Sequence, residues 1–181
     1  MRVIAGSAKG TRLAPVPAGT RPVSDRAREG LFSSLGPKVV DARVLDLFAG
    51  TGALAIEALS RGAGEAVLVD SSPKATRTIV DNLRRARVEG QAEVRRLDAI
   101  RSIPGLSGTF DLVLLDPPYH IEPGRLDEVL AALDASSLLG AGARVVLTRP
   151  KGGYTPVIPV HWALERQLTY GDSVVSVYTA P

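Results

Sequence analysis

The chain has no cysteine, and only two histidines, one tryptophan and three phenylalanines in 181 residues. Without cysteine there can be no disulfide, thiolate zinc site, Fe–S cluster or Cys nucleophile. With His120 and His161 alone, a metal site would have to be built mostly from carboxylates, and none is expected. Long apolar runs are also missing: nothing approaches the roughly 18–20 residues of a membrane span. The opening Met1-Arg2-Val3-Ile4-Ala5-Gly6 lacks the apolar stretch of a secretory signal. A soluble, cytoplasmic protein is the expectation. No internal repeat or low-complexity tract is visible.

What is present is ordinary globular composition, 45% apolar and 23% charged. A chain of this length buries roughly 70% of its unfolded surface and needs no covalent staple. The net charge of +3 is unevenly spread. Residues 1–40 carry seven Lys and Arg against two acids, a net of +5, so the remaining 141 residues sum to −2. A basic N-terminal segment beside a slightly acidic body points to nucleic acid or another anion.

Residues 2–5 and 11–14 read as a small hairpin around Gly6–Gly10, and 15–23, rich in Pro and Gly, as a loop. Ser24 is placed to cap a helix over 25–35, closed by Gly36-Pro37, and Ser72-Pro73 is a cap-plus-proline start for a later one. Strands then follow at 44–48, 66–69, 93–97, 110–115 and 144–148. Helices separate them at about 53–61, 73–87 and 125–135. The alternation predicts an α/β fold with a doubly wound, mostly parallel sheet. Segments 163–170 and 173–179 leave too little chain at Gly171 for a crossover and predict an antiparallel C-terminal hairpin. The expected division is an extension over 1–40 and a main domain over 41–181.

The first strand runs into Asp46-Leu47-Phe48-Ala49-Gly50-Thr51-Gly52, where doubly wound proteins bind nucleotides. Asp70, twenty residues after Gly50, is placed to take ribose hydroxyls. The glycine pattern alone also permits a dinucleotide and an NAD-dependent oxidoreductase. Two features disfavour that. Asp46 lies inside the strand, where it would repel a pyrophosphate but suit an ammonium group. Asp70, Asp98 and Asp116 end three further strands, and four acids on one sheet edge make a poor phosphate site. They suit a cationic, phosphate-free nucleoside such as S-adenosylmethionine (SAM). That these acids merely cap helices remains the plain alternative, most of all for Asp98.

Asp116-Pro117-Pro118-Tyr119 follows the fourth strand directly. Its prolines stiffen the loop and remove two backbone donors, leaving the Asp116 carboxylate and Pro117 carbonyl as acceptors. Two fixed acceptors can hold an exocyclic amine and aim its nitrogen at a methyl sulfonium. Tyr119 offers a ring on which an unpaired base can stack. The pattern leans to guanine, whose N1–H and N2–H₂ are adjacent donors. Cysteine's absence excludes the covalent route of ring-carbon methylation and leaves direct transfer to an amine.

These two motifs resemble those of SAM-dependent amino methyltransferases of nucleic acids. Arg2-Val3-Ile4-Ala5-Gly6, Lys9-Gly10, Leu13 and the run Arg21-Pro22-Val23-Ser24-Asp25-Arg26-Ala27-Arg28-Glu29-Gly30-Leu31-Phe32 narrow the likeness, with Trp162, Gly171 and Tyr178 in the tail. Over nearly its whole length the chain resembles the RsmD family, bacterial 16S rRNA guanine-N2-methyltransferases. The family usually has Thr where Val23 stands.

The resemblance implies a Rossmann-like methyltransferase fold, SAM as cofactor, and N2 of guanine 966 in small-subunit rRNA as target, within an assembled or assembling subunit. It implies that Asp46, Phe48, Gly50 and Gly52 hold the methionine end of SAM. Asp70 would then hold the ribose, and Asp98 with Ala99 the adenine edge. Asp116, Pro117 and Tyr119 would hold the guanine. Arg2, Lys9, Arg12, Arg21, Arg26 and Arg28 are candidate phosphate contacts, with Arg84, Arg85, Arg87, Arg95 and Arg96 a second basic group; the alternative for Arg21, Asp25, Arg28 and Glu29 is to order the loop against the cofactor. His120 is a minor candidate proton relay and Tyr154 a candidate substrate contact, whereas His161 and Trp162 are expected to pack at a strand start. The rival readings are a DNA adenine or cytosine amino methyltransferase, for which 181 residues leave little room for a target-recognition region, the oxidoreductase, and a catalytically silent rRNA-binding assembly factor.

Overall fold

The computed structural model describes residues 1–15 and 23–181. Seven strands form one sheet in the order β3-β2-β1-β4-β5-β7-β6. The strands are β1 (Arg43–Leu47), β2 (Glu65–Val69), β3 (Ala92–Arg95), β4 (Phe110–Leu115), β5 (Leu139–Pro150), β6 (Ala163–Tyr170) and β7 (Ser173–Thr179). The first five run parallel. β7 lies antiparallel to β5, and β6 to β7, as the short link at Gly171 requires.

Helices cover both faces, which is why the central strands read as continuous apolar runs. α1 (Asp25–Leu35), α2 (Ala53–Ser60) and α3 (Pro73–Ala86) cover one face. The short α4 (Ala99–Ser102) and α5 (Pro123–Asp134) cover the other. Val44, Leu112, Leu114 and Val146 point to the first layer; Leu45, Leu47, Val113 and Val145 point to the second. Two serines start helices as expected: Ser24 Oγ accepts from Ala27 N–H at 3.2 Å, and Ser72 Oγ from Ala75 N–H at 3.3 Å.

Residues 1–15 share the core of the first layer through Val3, Ala8 and Leu13. The hairpin expected there is present in short form: an antiparallel bridge joins Arg2 to Arg12, and Val3 N–H bonds Thr11 O at 3.0 Å, Gly10 N–H bonds Val3 O at 2.9 Å and Leu13 N–H bonds Met1 O at 3.2 Å. Donors between the two arms go to α2. Ile4 and Ala5 N–H bond the Glu57 carboxylate at 2.8 and 3.1 Å, and Ser7 N–H bonds Ser60 O at 2.8 Å. Gly6 makes this docking possible: its φ is +84°, and a Cβ there would stand 1.6 Å from Ser60 O.

Other boundaries moved. β5 begins at Leu139, five residues before the expected 144, because Leu139 pairs with Phe110 across a register shift. β3 ends at Arg95 rather than 97, leaving Asp98 outside the strand as the cap of α4. Among the described residues no helix is long and apolar enough to cross a membrane.

Candidate active site

β1 lies between β2 and β4, so the chain leaves it to one side and returns on the other. At this switch point the loops after β1 and β4 diverge and open a crevice at the carboxyl ends of the strands. The crevice is a cleft of about 610 Å³, and Asp46, Asp70, Asp98 and Asp116 all line it. Phe48, Gly50, Ala99, Pro117 and Tyr119 line it as well.

Asp46 sits within β1, on the face that packs against α2, and is 1% exposed. Its Oδ2 accepts from Ala55 N–H at 3.3 Å, while its Oδ1 is buried without a partner among the described residues. Burial pushes the Asp46 carboxyl well above the ordinary range; the Ala55 N–H opposes this, and nearby Asp116 and Asp70 add to it. A buried acceptor without a donor is expensive unless a ligand supplies one. The ammonium group of an amino-acid ligand is such a donor, so the residues present fit the methionine end of SAM.

In the loop after β1, Gly50, on the cleft wall, has φ of +58°, and Phe48, without glycine's freedom, holds +70°. Strain of this kind costs about 1–3 kcal/mol and concentrates at ligand sites. Gly52, expected to touch the ligand, is buried outside the cleft lining at φ +76°, where a Cβ would stand 3.1 Å from Leu68; it shapes the turn into α2. Asp70 fixes the loop by joining two turns: Oδ2 accepts from Gly50 N–H and Oδ1 from Ser72 N–H, both at 2.8 Å. Its place on the cleft wall leaves further lone pairs for ribose hydroxyls.

Across the cleft, Asp116 begins the Asp-Pro-Pro-Tyr loop. Burial raises its carboxyl to about 7, against the pull of the nearby Arg149 guanidinium. Tyr119 is 36% exposed, and its hydroxyl lies 2.9 Å from Ser173 Oγ at the start of β7. The ring is therefore tethered to the C-terminal hairpin at the cleft mouth. Arg149 is 8% exposed, with Nε and Nη1 unpartnered among the described residues.

Asp98 does two jobs. Its Oδ1 caps α4 through Ile100 and Arg101 N–H, at 3.1 and 3.3 Å, and accepts from Arg125 at 2.7 Å. Burial alone would raise this carboxyl, but those bonds outweigh it and the net shift is downward.

The basic residues separate. Arg2, Lys9, Arg12 and Arg26 are exposed. Arg21 lies outside the described residues. Arg28, expected at an RNA-facing surface, is instead 0% exposed in the cleft wall. The reason is helical spacing: Arg28 shares the inward stripe of α1 with Leu31, Phe32 and Leu35. In the second basic group, Arg95 is engaged by Glu93 and Gly105 O, while Arg84, Arg85, Arg87 and Arg96 are exposed. His120 is exposed at the cleft edge. Tyr154 turns away from the cleft to donate to Asp127 at 2.6 Å. His161 and Trp162 both reach Asp134 at the end of α5, at 2.7 and 2.8 Å.

Three buried residues escaped the reading of the sequence. Glu57 anchors the N-terminal segment. Asn82, 0% exposed on α3, bonds Ala14 at both its N–H and C=O and also Thr51 O, tying that segment to the glycine loop. Arg149 lies beneath the Asp-Pro-Pro-Tyr loop. A signal existed for two of them. Glu57 interrupts the otherwise apolar run Ala53-Leu54-Ala55-Ile56, and Arg149 continues the inward alternation of Ala143, Val145 and Leu147.

Comparison with known proteins agrees with this geometry. The family model described as conserved hypothetical protein 95 matches residues 1–179. Ribosomal RNA small subunit methyltransferase D of Escherichia coli K12 is 34% identical over 180 residues, covering 98% of this chain and 89% of that protein. The putative rRNA methyltransferase YlbH of Bacillus subtilis is 36% identical, covering 98% of each. Among solved structures, the putative methyltransferase yhhF of Escherichia coli superposes with a TM-score of 0.88 at 34% identity, covering 99% of this chain and 97% of that one.

Proposed function

The chain belongs to the family described as conserved hypothetical protein 95, and we propose that it transfers the SAM methyl group to N2 of a guanine in 16S rRNA. The observation that carries this reading is the pairing of two features across one cleft: the partnerless Oδ1 of Asp46 and the acceptor-only Asp116-Pro117 corner. Full-length likeness to proteins named as small-subunit rRNA methyltransferases favours rRNA over DNA. Guanine 966 in an assembled or assembling small subunit is the site the family likeness suggests, and the cytoplasm is where that substrate resides.

When bound, SAM supplies an electrophilic methyl group on a sulfonium. Asp46, Phe48 and Gly50 hold its methionine end, Asp70 its ribose, and Asp98 with Ala99 its adenine edge, while Gly52 shapes the turn into α2. The guanine stacks on Tyr119, which Ser173 holds in place. The Asp116 carboxylate accepts from the base edge and the Pro117 carbonyl from the N2 amine. That amine's lone pair is conjugated into the ring, so fixing it between two acceptors both aligns the nitrogen and draws charge onto it. Catalysis is then positioning and electrostatics. The methylated amine becomes acidic enough to lose its proton to water, so no protein base is required. Residues 1–40 supply the RNA-facing surface through Arg2, Lys9, Arg12 and Arg26, with Arg21 in the same segment.

The test is tritiated methyl transfer to small subunits from a strain lacking this protein, with the product nucleoside identified by mass spectrometry. N2-methylguanosine at one position supports the reading. Label in DNA adenine or cytosine, or none in rRNA, refutes it.

A further inference from the structure

Arg28 is an anomaly that its exposed neighbours do not share. It is fully enclosed, yet it lines the same cleft as Asp46. Its Nη2 donates to Arg2 O and to Asp25 Oδ1, both at 2.6 Å. Its Nε and Nη1 are buried without a partner among the described residues. Burial works against its charge, opposed by Asp25 and Glu57. A guanidinium with free N–H groups, removed from water, wants an anion.

That anion must be small, because residue burial leaves no surface for an RNA backbone to reach. It must also be compatible with Asp46, whose orphan Oδ1 wants a cation in the same cleft. A lone phosphate meets only one of these demands. An amino-acid zwitterion meets both, with an ammonium for one side and a carboxylate for the other. Lys74 also lines the cleft, but it is exposed at the start of α3, beside the turn that Asp70 fixes. Arg28 stands on α1, with Val23 nearby in the wall.

We propose that Arg28 receives the α-carboxylate of the methionine moiety of SAM, opposite the ammonium held by Asp46. This assignment rests on the cofactor reading above and moves Arg28 from the RNA-binding set to the cofactor site. It also gives the N-terminal segment a second role. Because Nη2 bonds the backbone of Arg2 at 2.6 Å while the rest of the guanidinium is turned to the cofactor, one side chain joins the N-terminal segment to the cofactor site.

The test measures binding without catalysis. Isothermal titration compares SAM, decarboxylated SAM and 5′-methylthioadenosine on the full chain and on Arg28→Gln and Arg28→Lys. The unmutated protein should prefer SAM to decarboxylated SAM by about tenfold or more, the worth of a charged hydrogen bond. Arg28→Gln should erase that preference while its affinity for the two carboxylate-free ligands stays within about twofold. Arg28→Lys should retain part of it. Equal affinity of the unmutated protein for SAM and decarboxylated SAM would overturn the proposal, and needs no variant to fold. So would an equal loss for all three ligands, which would mark Arg28 as structural. If the unmutated protein binds none of the three, the cofactor reading itself has failed.

Discussion

Methyl transfer by this protein should depend on pH in a way an ordinary aspartate could not produce. In the proposed role Asp116 holds the base edge with two acceptor oxygens, and protonation turns one of them into a donor that faces a donor. Burial places this carboxyl at about 7, where an unperturbed aspartate lies near 3.8. With a midpoint of about 7, roughly 9% is ionised at pH 6 and roughly 91% at pH 8, so activity should rise about tenfold across that interval. An unshifted carboxylate would leave it flat. The free enzyme's Asp116, followed by carbon-13 NMR, should titrate near 7. The rate limb at saturating SAM should fall lower, because a sulfonium acts in the same sense as Arg149. Arg149→Met removes a nearby opposing cation and should move both midpoints upward. A free-enzyme midpoint below about 5, or a downward shift in Arg149→Met, would refute this account of the site.

The same shift makes a stability prediction. A folded-state pKa raised above the unfolded value means stability is fullest below pH 4 and is lost as pH rises through 7; the shift is worth up to about 4 kcal/mol. Asp116→Asn should therefore melt higher than the unmutated protein at pH 8 while transferring methyl at least about 10²-fold more slowly; a lower melting temperature would contradict the burial argument. Tyr119→Ala should reduce kcat/KM by about 1–3 kcal/mol of lost stacking. Tyr119→Phe, which gives up only the contact with Ser173, should keep most activity, and if it is as impaired as the alanine variant the ring is not the stacking platform. Neutralising Arg2, Lys9 and Arg12 together to Gln spares the packing of Val3 and Leu13 and should flatten the salt dependence of rRNA binding by about 2 to 3 slope units; an unchanged slope removes them from the phosphate contacts. Gly6→Ala meets the Ser60 carbonyl and a left-handed φ at once, so it should lower the melting temperature by several degrees, about 2 kcal/mol or more.

How much of this was legible in the sequence depends on how local each cause was. The five parallel strands and the serine caps were visible because apolar runs and capping hydroxyls act on their own neighbours. The three acids that follow β2, β3 and β4, and the Asp-Pro-Pro-Tyr corner that the last of them begins, were visible because a parallel sheet sends every loop that follows a strand to one edge. β5 was read too short because Gly140 and Gly142 interrupt its apolar pattern, and only pairing with β4 extends it back to Leu139. The hairpin at 2–14 was legible because its pairing is local, with Val3, Gly10 and Leu13 N–H all bonding across the turn; its docking through Glu57 and Ser60 was not, because those partners lie some fifty residues further along the chain.

Arg28 shows where charge counting misleads. Summed over residues 1–40 it was one more unit of basic surface. Placed at helical spacing with Leu31 and Leu35, it was already on the inward stripe of α1, where an arginine has no reason to stand unless something anionic meets it. Glu57 and Arg149 follow the same logic, each a charge in a periodic apolar row. The uneven net charge therefore has two parts with different purposes. The exposed cations of the N-terminal segment face outward, where a polyanion can be bound, and Arg28, its one enclosed cation among the described residues, lines the cleft, where four carboxylates would otherwise leave a zwitterionic ligand half unmatched.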